Sequence, residues 1–429
     1  MTKSNATIIE DATCTGCGCL CDDVALHVAG GRIVEAERAC AVGQTWLLQE
    51  TDLPGPTATV DGKPVEIDVA LDRAAQILRA AKYPLVYGLG ETTTDGQRAA
   101  VAVADKIGAL LDLPTGDAHG PSGVTFHGVG EVTCTLGEVR NRGDLIVFWG
   151  ANPVETHPRL FEKYLTPAGQ FLPGGRTDRH VVVIDVQPTA SSAAADCFLQ
   201  IKPGRDFEAL WTVRALAQGL ALDAQQVETA TGVSLAAWQD LLTRMQRANF
   251  GVLMYGHGLT ATRGGYLNAE ALSALTRDLN AHTRFTARSL RGRGNDAGAE
   301  NVMTWQTGFP FAVNLAEGYP RFNPGEYAAE GALERREVDA ALLVAVDPSE
   351  HLSAAALAHL KSIPTVSIDF RPTTMPSADI AFRTAIYGLQ TPGTAYRMDD
   401  VPLPLRPALM SKYPSDVEVL QQLLMRLST

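Results

Sequence analysis

The sequence predicts an α/β protein with a small cysteine-rich β domain at its N-terminus and two related Rossmann-like parallel-sheet domains. Three observations predict this fold. A cluster of cysteines opens the chain, short apolar runs end in glycine turns and lead into helical stretches, and these runs recur in the same order along the chain. Its 429 residues also exceed what one ordinary core supports, so several structural units are expected.

The internal repeat is the clearest sign of the two related domains. Each member of the first pair is an apolar run typical of a buried strand, a Gly-x-Gly turn and a helical stretch, predicted over Gly96 to Leu111 and over Gly265 to Asn280. Four pairs of blocks match, and they begin at Pro84 and Gly251, at Asp144 and Asp339, at His180 and Pro364, and at Ala195 and Ala378. Four matches in one order indicate two related units, each with a mostly parallel sheet and crossover helices.

Polar residues follow several of these predicted strands, and ligands of parallel sheets bind outside the carboxyl ends of the strands. Asp and Asn accept hydrogen bonds from ribose or purine, whereas Thr and backbone amides hold phosphate. The candidate nucleotide contacts are Asn152, Glu155, Thr156, His157, Asp185, Thr189, Asp347, Asp369 and Thr373. Asn-Pro and Asp-Pro also begin turns, so a purely structural interpretation of each residue stays open.

The N-terminal cysteines have the spacing of a metal centre. Cys14, Cys17, Cys21 and Cys40 form a C-x2-C-x3-C-x18-C pattern, and a predicted hairpin over Val24 to Glu35, turning at two glycines, brings the fourth cysteine back. This pattern favours a [4Fe–4S] cluster. Zinc and an empty site of free thiols remain alternatives. Cys19 is left over, and two later cysteines, Cys134 and Cys197, are predicted to be buried apolar residues.

Composition narrows the function. The net charge of −12 argues against nonspecific nucleic-acid binding. Residues 1–11 lack the apolar core of a signal peptide, and no apolar run reaches about 20 residues. We therefore expect no signal peptide, no membrane span and a cytoplasmic protein. The most basic local stretch contains Arg284, Arg288, Arg291 and Arg293, which could bind a carboxylate-rich ligand or form structural ion pairs.

Taken together, these motifs resemble the molybdopterin oxidoreductases, and more specifically the B subunit of formylmethanofuran dehydrogenase. The resemblance covers essentially the whole chain. It rests on the cysteine motif from Cys14 to Val24 and on three further segments, 150–159, 201–206 and 393–400. It implies a molybdopterin-oxidoreductase-like fold in which the polar strand-end residues are remnants of pterin-dinucleotide loops. It also implies four segments: an iron–sulfur-type domain at 1–56, a mixed α/β domain around the former metal site at 57–143 and 286–335, a first dinucleotide-binding-like domain at 144–285, and a second such half with the tail at 336–429.

One position departs from the family pattern. In active relatives a metal-binding cysteine precedes a His-Gly-Pro-Ser-like stretch, which here runs from His119 to Ser122. Ala118 stands where that cysteine is expected, while His119 and Arg288 match the active-site histidine and arginine of the family. A methyl group cannot ligate a metal. The resemblance therefore implies a degenerate site without its own catalysis and without a functional molybdenum or tungsten pterin.

The resemblance includes a precedent for the loss of this cysteine within an otherwise retained fold. It is the B subunit of the formyltransferase/hydrolase complex of methylotrophic bacteria. Such complexes move a formyl group from formyl-tetrahydromethanopterin to methylofuran and hydrolyse it to formate, with no transfer of electrons. The resemblance implies a non-redox structural and carrier-contacting subunit, with a metal-dependent hydrolase, a formyltransferase and a small C subunit as partners and methylofuran bound by the complex. An active molybdenum or tungsten dehydrogenase subunit is the alternative, and a stand-alone nucleotide-binding or electron-carrying protein is a third.

Overall fold

The computed structural model describes residues 6–51, 54–260, 264–371 and 378–428, but not the side chains of residues 117–119, 121–122 and 127. The strands are β1 (Thr7–Ala12), β2 (Val24–Ala29), β3 (Arg32–Glu37), β4 (Ala58–Val60), β5 (Lys63–Pro64), β6 (Pro84–Gly88), β7 (Leu110–Asp112), β8 (Leu145–Trp149), β9 (His180–Asp185), β10 (Cys197–Gln200), β11 (Phe250–Tyr255), β12 (Arg284–Ser289), β13 (Val313–Asn314), β14 (Arg321–Phe322), β15 (Ala340–Val344), β16 (Thr365–Asp369), β17 (Ile380–Arg383), β18 (Gly393–Tyr396) and β19 (Pro402–Leu405).

The helices cover the faces of the sheets, and short π-helical and 3₁₀ turns lie at Phe161–Leu165, Gly175–Asp178 and Pro348–Glu350. The α-helices are α1 (Ala41–Leu47), α2 (Ile67–Ala80), α3 (Thr94–Ile107), α4 (Gly116–Gly128), α5 (Leu136–Arg142), α6 (Pro153–Thr156), α7 (Ala190–Ala193), α8 (Asp206–Ala217), α9 (Ala224–Thr231), α10 (Leu235–Arg247), α11 (His257–Thr260), α12 (Gly265–Leu279), α13 (Asp296–Thr307), α14 (Pro324–Tyr327), α15 (Ala329–Glu334), α16 (Ala354–Leu360) and α17 (Asp416–Leu427). None of the described helices has the length and hydropathy that crossing a membrane requires.

The chain divides into two compact units. Unit 1 combines Met1–Gly116 with Arg293–Thr429, and unit 2 is Asp117–Gly292. Unit 2 contains a parallel sheet in the order β10-β9-β8-β11-β12. Its central strands β8 and β11 are buried along their whole length, as expected for a parallel sheet covered by helices. In its core the rings of Trp149 and Trp238 stack with centroids 6.3 Å apart, and the indole N–H of Trp149 donates to Asp206 at 2.9 Å.

Unit 1 contains a longer mixed sheet and the N-terminal sheet. The order of the mixed sheet is β14-β13-β7-β6-β15-β16-β17-β4-β5, and its middle stretch from β7 to β17 is parallel. Antiparallel strands complete both of its edges. The N-terminal sheet is antiparallel, β1-β2-β3, and its β2-β3 turn at Gly30-Gly31 confirms the predicted hairpin.

The two parallel stretches have the same strand order, and this confirms the internal repeat. In unit 1 the order β17-β16-β15-β6-β7 repeats the order β10-β9-β8-β11-β12 of unit 2. The four matched blocks occupy equivalent strands. However, the strand before each Gly-x-Gly turn belongs to the sheet formed by the other half of the sequence. The early strand β6 lies in the sheet of the late strands β15 and β16, whereas β11 lies beside β8. The direction of the strand connections reverses between β8 and β11 in unit 2 and between β15 and β6 in unit 1. In folds of this type, ligands bind in the crevice at such a reversal.

The structure corrects one helix boundary. The sequence predicts a helix from Gly96 to Leu111, but α3 ends at Ile107 and β7 begins at Leu110. Gly108 adopts a left-handed conformation with φ of 63°, which stops a helix because its amide turns back to the last carbonyls. The apolar residues after it then form a buried strand, and apolar spacing alone does not distinguish such a short run from a helix.

Candidate functional site

The cysteines predicted as ligands lie on one tight loop and at the start of one helix. The amide of Cys14 donates to the carbonyl of Cys21 at 2.9 Å, which closes the loop. Cys40 is the N-cap of α1, and its Sγ accepts from the amide of Gly43 at 3.5 Å. A Cβ at Gly43 would lie 3.1 Å from the sulfur of Cys14 and 3.8 Å from that of Cys40, so the two sulfurs flank this glycine. The fold therefore brings together cysteines that are 26 residues apart in the sequence.

Cys19 is integrated into this cluster, although the sequence marks it as left over. Its side chain is fully buried and hydrogen-bonded to Cys17. This bond lowers the pKa of the Cys17 thiol, while the same bond and burial raise the pKa of Cys19. Burial also raises the pKa of Cys14, and the neighbouring Cys17, Cys21 and Cys40 add to that effect. So many thiols in one buried place are costly to ionise unless a cation neutralises them.

The thiol geometry tests the two metal alternatives. A tetrahedral zinc ion with Zn–S bonds of about 2.3 Å holds its sulfurs roughly 3.8 Å apart. Among the described residues, no three cysteine sulfurs lie within 4.8 Å of one another. A cuboidal cluster takes one thiolate at each iron corner and so holds them farther apart. The amide of Gly16 donates to the Cys14 sulfur at 3.4 Å, as backbone amides do to cluster-bound thiolates. The buried thiols and their amide donors are therefore compatible with a [4Fe–4S] cluster.

In unit 2 the loops after β8 and β9 join at the carboxyl edge of the sheet. The side-chain oxygen of Asn152 accepts from the amide and hydroxyl of Ser191 at 3.1 and 2.7 Å. Thr189 caps α7 in a reciprocal capping box with Ser192. Both predicted contact residues are thus engaged in holding the loops together. The Asp185 carboxylate at the end of β9 accepts from the amides of Val186 and Gln187, and its pKa is raised by partial burial.

His157 is a buried, neutral link between two loops of unit 2. Its Nε2 lies 2.7 Å from the carbonyl of Arg291, and its Nδ1 lies 2.8 Å from the hydroxyl of Thr156. A carbonyl only accepts, so Nε2 carries the proton and the Thr156 hydroxyl donates to Nδ1. Burial lowers the pKa of His157, which agrees with the neutral form. Glu155, beside it, is exposed.

The equivalent residues of unit 1 differ in exposure. Asp347 caps the turn Pro348–Glu350 and accepts from the amide and hydroxyl of Ser349 at 2.9 and 2.6 Å. Asp369 is buried, and both of its carboxylate oxygens bind the guanidinium of Arg371 at 3.0 Å. Thr373, the remaining predicted contact, lies outside the described residues.

A chain of ion pairs occupies the carboxyl edge of unit 1 at its crevice between β15 and β6. Glu91, which follows the Gly-x-Gly turn after β6, lies 2.6 Å from Arg371 and 3.2 Å from Arg293. Arg293 continues to Glu350 at 2.5 Å. Burial acts to lower the pKa of Arg371, but the carboxylates of Asp369 and Glu91 raise it on balance. These cations are therefore neutralised by the protein itself.

Asp416 lies beside this chain of ion pairs, at the start of α17. It is fully buried, accepts a hydrogen bond from the Thr92 hydroxyl, and accepts from the amide of Val417 at 2.9 Å. Burial raises its pKa to about 6, against the opposing hydrogen bond from Thr92. The sequence did not single out Asp416, Glu91 or Arg371. Glu91 has a local signal, its place directly after a Gly-x-Gly turn, whereas the pairing of residues about 300 positions apart has none.

The residues predicted to form a degenerate metal site lie in unit 2. The backbone of Ala118 and His119 is in the first turn of α4, and their side chains lie outside those described. Arg288 is on β12, is buried, and donates to the carbonyl of Cys134 at 3.2 Å. Cys134 is buried as predicted and accepts from the hydroxyl of Thr286 at 3.2 Å. The other cysteine predicted to be buried, Cys197, is only partly buried.

The two repeated parallel sheets and the N-terminal cysteine loop define a mixed α/β protein. No family model matches the chain. It is 38% identical over 408 residues to the B subunit of the tungsten-containing formylmethanofuran dehydrogenase 2 of Methanocaldococcus jannaschii, an alignment that covers 93% of each chain. The chain therefore belongs to the family of formylmethanofuran dehydrogenase B subunits, as the sequence motifs predict.

A second relative belongs to a formyltransferase/hydrolase complex. The chain is 28% identical over 294 residues to the B subunit of the formyltransferase/hydrolase complex Fhc of Methylorubrum extorquens, which covers 68% of this chain and 75% of the relative. A chain in the crystal structure of the formyltransferase/hydrolase complex FhcABCD of Methylorubrum extorquens, determined with methylofuran, has a TM-score of 0.71 and 24% identity. That match covers 86% of this chain and 98% of the other, and it shows that the folds are alike.

Proposed function

We propose that this chain is the non-redox B subunit of a formyltransferase/hydrolase complex that converts formyl-tetrahydromethanopterin to formate by way of methylofuran. The observation that carries the proposal is Ala118, at the position where family resemblance places the metal-binding cysteine. A methyl group offers no electron pair to molybdenum or tungsten. The chain then contributes structure and carrier contacts, and the partner subunits (a metal-dependent hydrolase, a formyltransferase and a small C subunit) carry out the chemistry.

The carboxyl edge of unit 1 supports this proposal. A dinucleotide brings a pyrophosphate to the crevice of such a sheet, where cations and amides neutralise it. Here the guanidinium groups of Arg371 and Arg293 are already paired with Glu91, and Arg293 is also paired with Glu350. A pyrophosphate would have to displace a buried carboxylate that lies 2.6 Å from its partner. The edge is thus arranged to be stable without an anionic ligand.

Two residues that the family resemblance associates with the former redox site, one with its active-site arginine and one with its pterin loops, have structural partners in unit 2. Arg288 donates to the carbonyl of Cys134, and His157 is held neutral between a hydroxyl and a carbonyl. These bonds satisfy His157 and one guanidinium nitrogen of Arg288, while the buried Nε of Arg288 has no hydrogen bond in the described residues. Both residues thus have structural contacts that are independent of a redox role.

A cavity in unit 2 is the proposed place of carrier contact. It has a volume of about 360 Å³, lies at the amino ends of β8, β11 and β12, and is lined by Arg142, Phe171 and Arg284, among others. The guanidinium of Arg142 lies over the ring of Phe171, 5.1 Å from its centroid. Within the described part of the chain, neither Arg142 nor Arg284 forms an ion pair. Asp144 also lines the cavity, but its carboxylate accepts from the backbone amides of Asn249 and Phe250. The two arginines therefore leave a positive balance that attracts a carboxylate-bearing ligand. This interpretation assigns Arg284, from the basic run, to carrier binding, and Arg293 to structural ion pairs.

Charge reversal tests the carrier contact. We expect Arg284→Glu to weaken binding of methylofuran to the purified complex at least tenfold, because it replaces attraction by repulsion at the cavity. Arg98→Glu, an equal charge change on an exposed residue of α3, serves as the control and is expected to leave binding unchanged. Equal affinity of the two variants would remove this cavity from the proposal.

The N-terminal thiols are proposed to hold a [4Fe–4S] cluster through Cys14, Cys17, Cys21 and Cys40. When bound, such a cluster supplies one-electron transfer. The residues of this chain bury the site and donate amide hydrogen bonds to the sulfurs. In a non-redox subunit its contribution is to hold together the loop of Cys14 and the start of α1. An empty site of free thiols is the alternative.

An active dehydrogenase subunit is the second candidate function. The observation in its favour is the identity of 38% to the tungsten-containing dehydrogenase subunit, compared with 28% to the Fhc subunit. It would require another ligand in place of the cysteine, with His119 next in the sequence. Such a subunit would oxidise or reduce a formyl or formate group.

Metal and pterin analysis separates the two candidates. The complex is purified anaerobically from its native host, its molybdenum, tungsten, iron and pterin are measured, and formyl transfer and hydrolysis are assayed in the same sample. We expect transfer and hydrolysis without molybdenum, tungsten or pterin. Near-stoichiometric molybdenum or tungsten with pterin would overturn the proposal and establish the dehydrogenase. The iron content of this sample decides whether the thiol cluster is loaded.

A further inference from the structure

The antiparallel sheet β1-β2-β3 places three potential metal ligands on one face. They lie in the hairpin between Cys21 and Cys40, and none of them is a cysteine. His27 on β2 pairs directly with Glu35 on β3, and Ala25 pairs with Glu37. Residues that face each other across an antiparallel pair, or that are two apart on a strand, share a face of the sheet. A β-bulge directly after the His27–Glu35 pair shifts the register and increases the local twist. The imidazole and two carboxylates are therefore presented together.

The geometry of these three side chains is compact. Each offers one nitrogen or oxygen atom, and the three atoms lie within 4.8 Å of one another. Nε2 of His27 lies 2.8 Å from an oxygen of Glu37, and its side chain is 14% exposed. Yet Nε2 is buried and forms no hydrogen bond of acceptable angle in the described residues. The nitrogen and the oxygen thus lie side by side, as two ligands of one cation do, rather than as a donor aligned with its acceptor.

We propose that His27, Glu35 and Glu37 form a binding site for a divalent first-row metal ion, separate from the cysteine cluster. Neutral imidazole with two carboxylates is a nitrogen and oxygen donor set, which suits Mn²⁺ or Zn²⁺, whereas thiolates favour softer metals and iron–sulfur clusters. The two carboxylates neutralise the dication. Glu37 is 48% exposed, so the cation reaches the site from solvent and retains water in its remaining positions.

The competing explanation is a cross-strand His–Glu ion pair that binds no metal, which is common on sheet surfaces. Another candidate binding surface is the exposed aromatic pair Phe207 and Trp211 of α8. No feature of the structure identifies what would bind there. Two features of the site of His27, Glu35 and Glu37 favour a metal over an ion pair. They are its nitrogen and oxygen donors and the misaligned contact of the buried Nε2.

Mn²⁺ is the appropriate probe because it disfavours thiols, so the cysteines do not compete for it. The full-length chain is titrated with Mn²⁺, and the free ion is followed by its electron paramagnetic resonance signal. His27→Ala and Glu37→Gln each remove one ligand. The matched control is Glu50→Gln, because Glu50 belongs to the same N-terminal region, has a side-chain exposure of 52%, and is paired with Arg32.

We expect one saturable Mn²⁺ site per chain, with its Kd raised at least tenfold in His27→Ala and in Glu37→Gln and unchanged in Glu50→Gln. Because Glu37 is half-exposed, its variant keeps the fold even if the more buried His27 is sensitive to replacement, and circular dichroism verifies this for both. Equal Mn²⁺ binding by the wild type, Glu37→Gln and Glu50→Gln, or no saturable binding at all, would leave only the ion pair and overturn the proposal.

Discussion

Asp416 is a buried carboxyl group whose ionisation opposes folding, and this gives a quantitative prediction. Its pKa rises from an ordinary 3.8 to about 6 in the folded protein, chiefly through burial. The folded state therefore binds the proton more tightly than the unfolded state. Stability is unaffected well below pH 3.8, falls as the pH rises through about 6, and carries the full penalty above that. At 1.36 kcal/mol per unit, the penalty is about 3 kcal/mol at about pH 8.

Asp416→Asn removes this charge and keeps the shape of the side chain. Its amide oxygen still accepts from the amide of Val417, and the Thr92 hydroxyl rotates to accept from the new amide nitrogen. Because about half of the penalty already exists near pH 5, the stability gain of the variant should be about 1.4 kcal/mol larger at about pH 8 than at about pH 5.

Urea unfolding of both proteins, followed by far-UV circular dichroism at these two pH values, measures the difference. Asp105→Asn, a change at an exposed carboxylate of α3, is the control and should shift the unfolding free energy by less than about 0.5 kcal/mol at either pH. Parallel pH profiles of wild type and Asp416→Asn would refute the argument. So would a variant less stable than the wild type at about pH 8.

Three further changes test the core, the crevice and the thiols. Asp206→Ala leaves the buried indole N–H at the end of β8 without its acceptor, so it should lower the unfolding free energy by about 1–3 kcal/mol in urea titrations; wild-type stability would contradict this. Gly150→Ala places a Cβ 2.6 Å from a backbone nitrogen at a φ of 56°. It should lower the melting temperature more than the control Gly130→Ala, where φ is 81° but the space around the Cβ is open. Equal shifts in melting temperature would show that only φ matters. Cys14→Ser should lose the iron that Cys134→Ser retains in anaerobically purified protein, and equal iron contents would exclude the cluster assignment.

The sequence predicts the kinds of element well because each block carries a local signal. Apolar runs followed by Gly-x-Gly or Asn-Pro identify strands and the turns after them. Ser415 with Glu418 likewise forms a local capping box that starts α17. The repeat also predicts equivalent strands correctly. It does not predict their partners, because β6 pairs with β15, more than 250 residues later, and no local pattern encodes that choice.

The candidate site is less predictable than the fold. Residue type and position at a strand end identify Asp369 as a candidate ligand contact, but its burial against Arg371 depends on tertiary packing. The same holds for Glu91, whose partner Arg371 is 280 residues away. The cysteine spacing, in contrast, is local except for Cys40, and the hairpin that returns this residue carries its own turn signal at Gly30-Gly31.

These ion pairs explain how a fold of this family can remain stable without an anionic ligand at its strand ends. An arginine at the buried edge of a sheet is costly without a counter-charge, because its desolvation is then uncompensated. Arg371 receives its counter-charges from Asp369 and Glu91, and Arg293 receives them from Glu91 and Glu350. The apolar strands beneath are buried irrespective of what binds above them. On the proposal that Ala118 replaces a metal-binding cysteine, the core and the charged edge of unit 1 need no ligand to stay intact, which is what a subunit retained for its shape and its contacts requires.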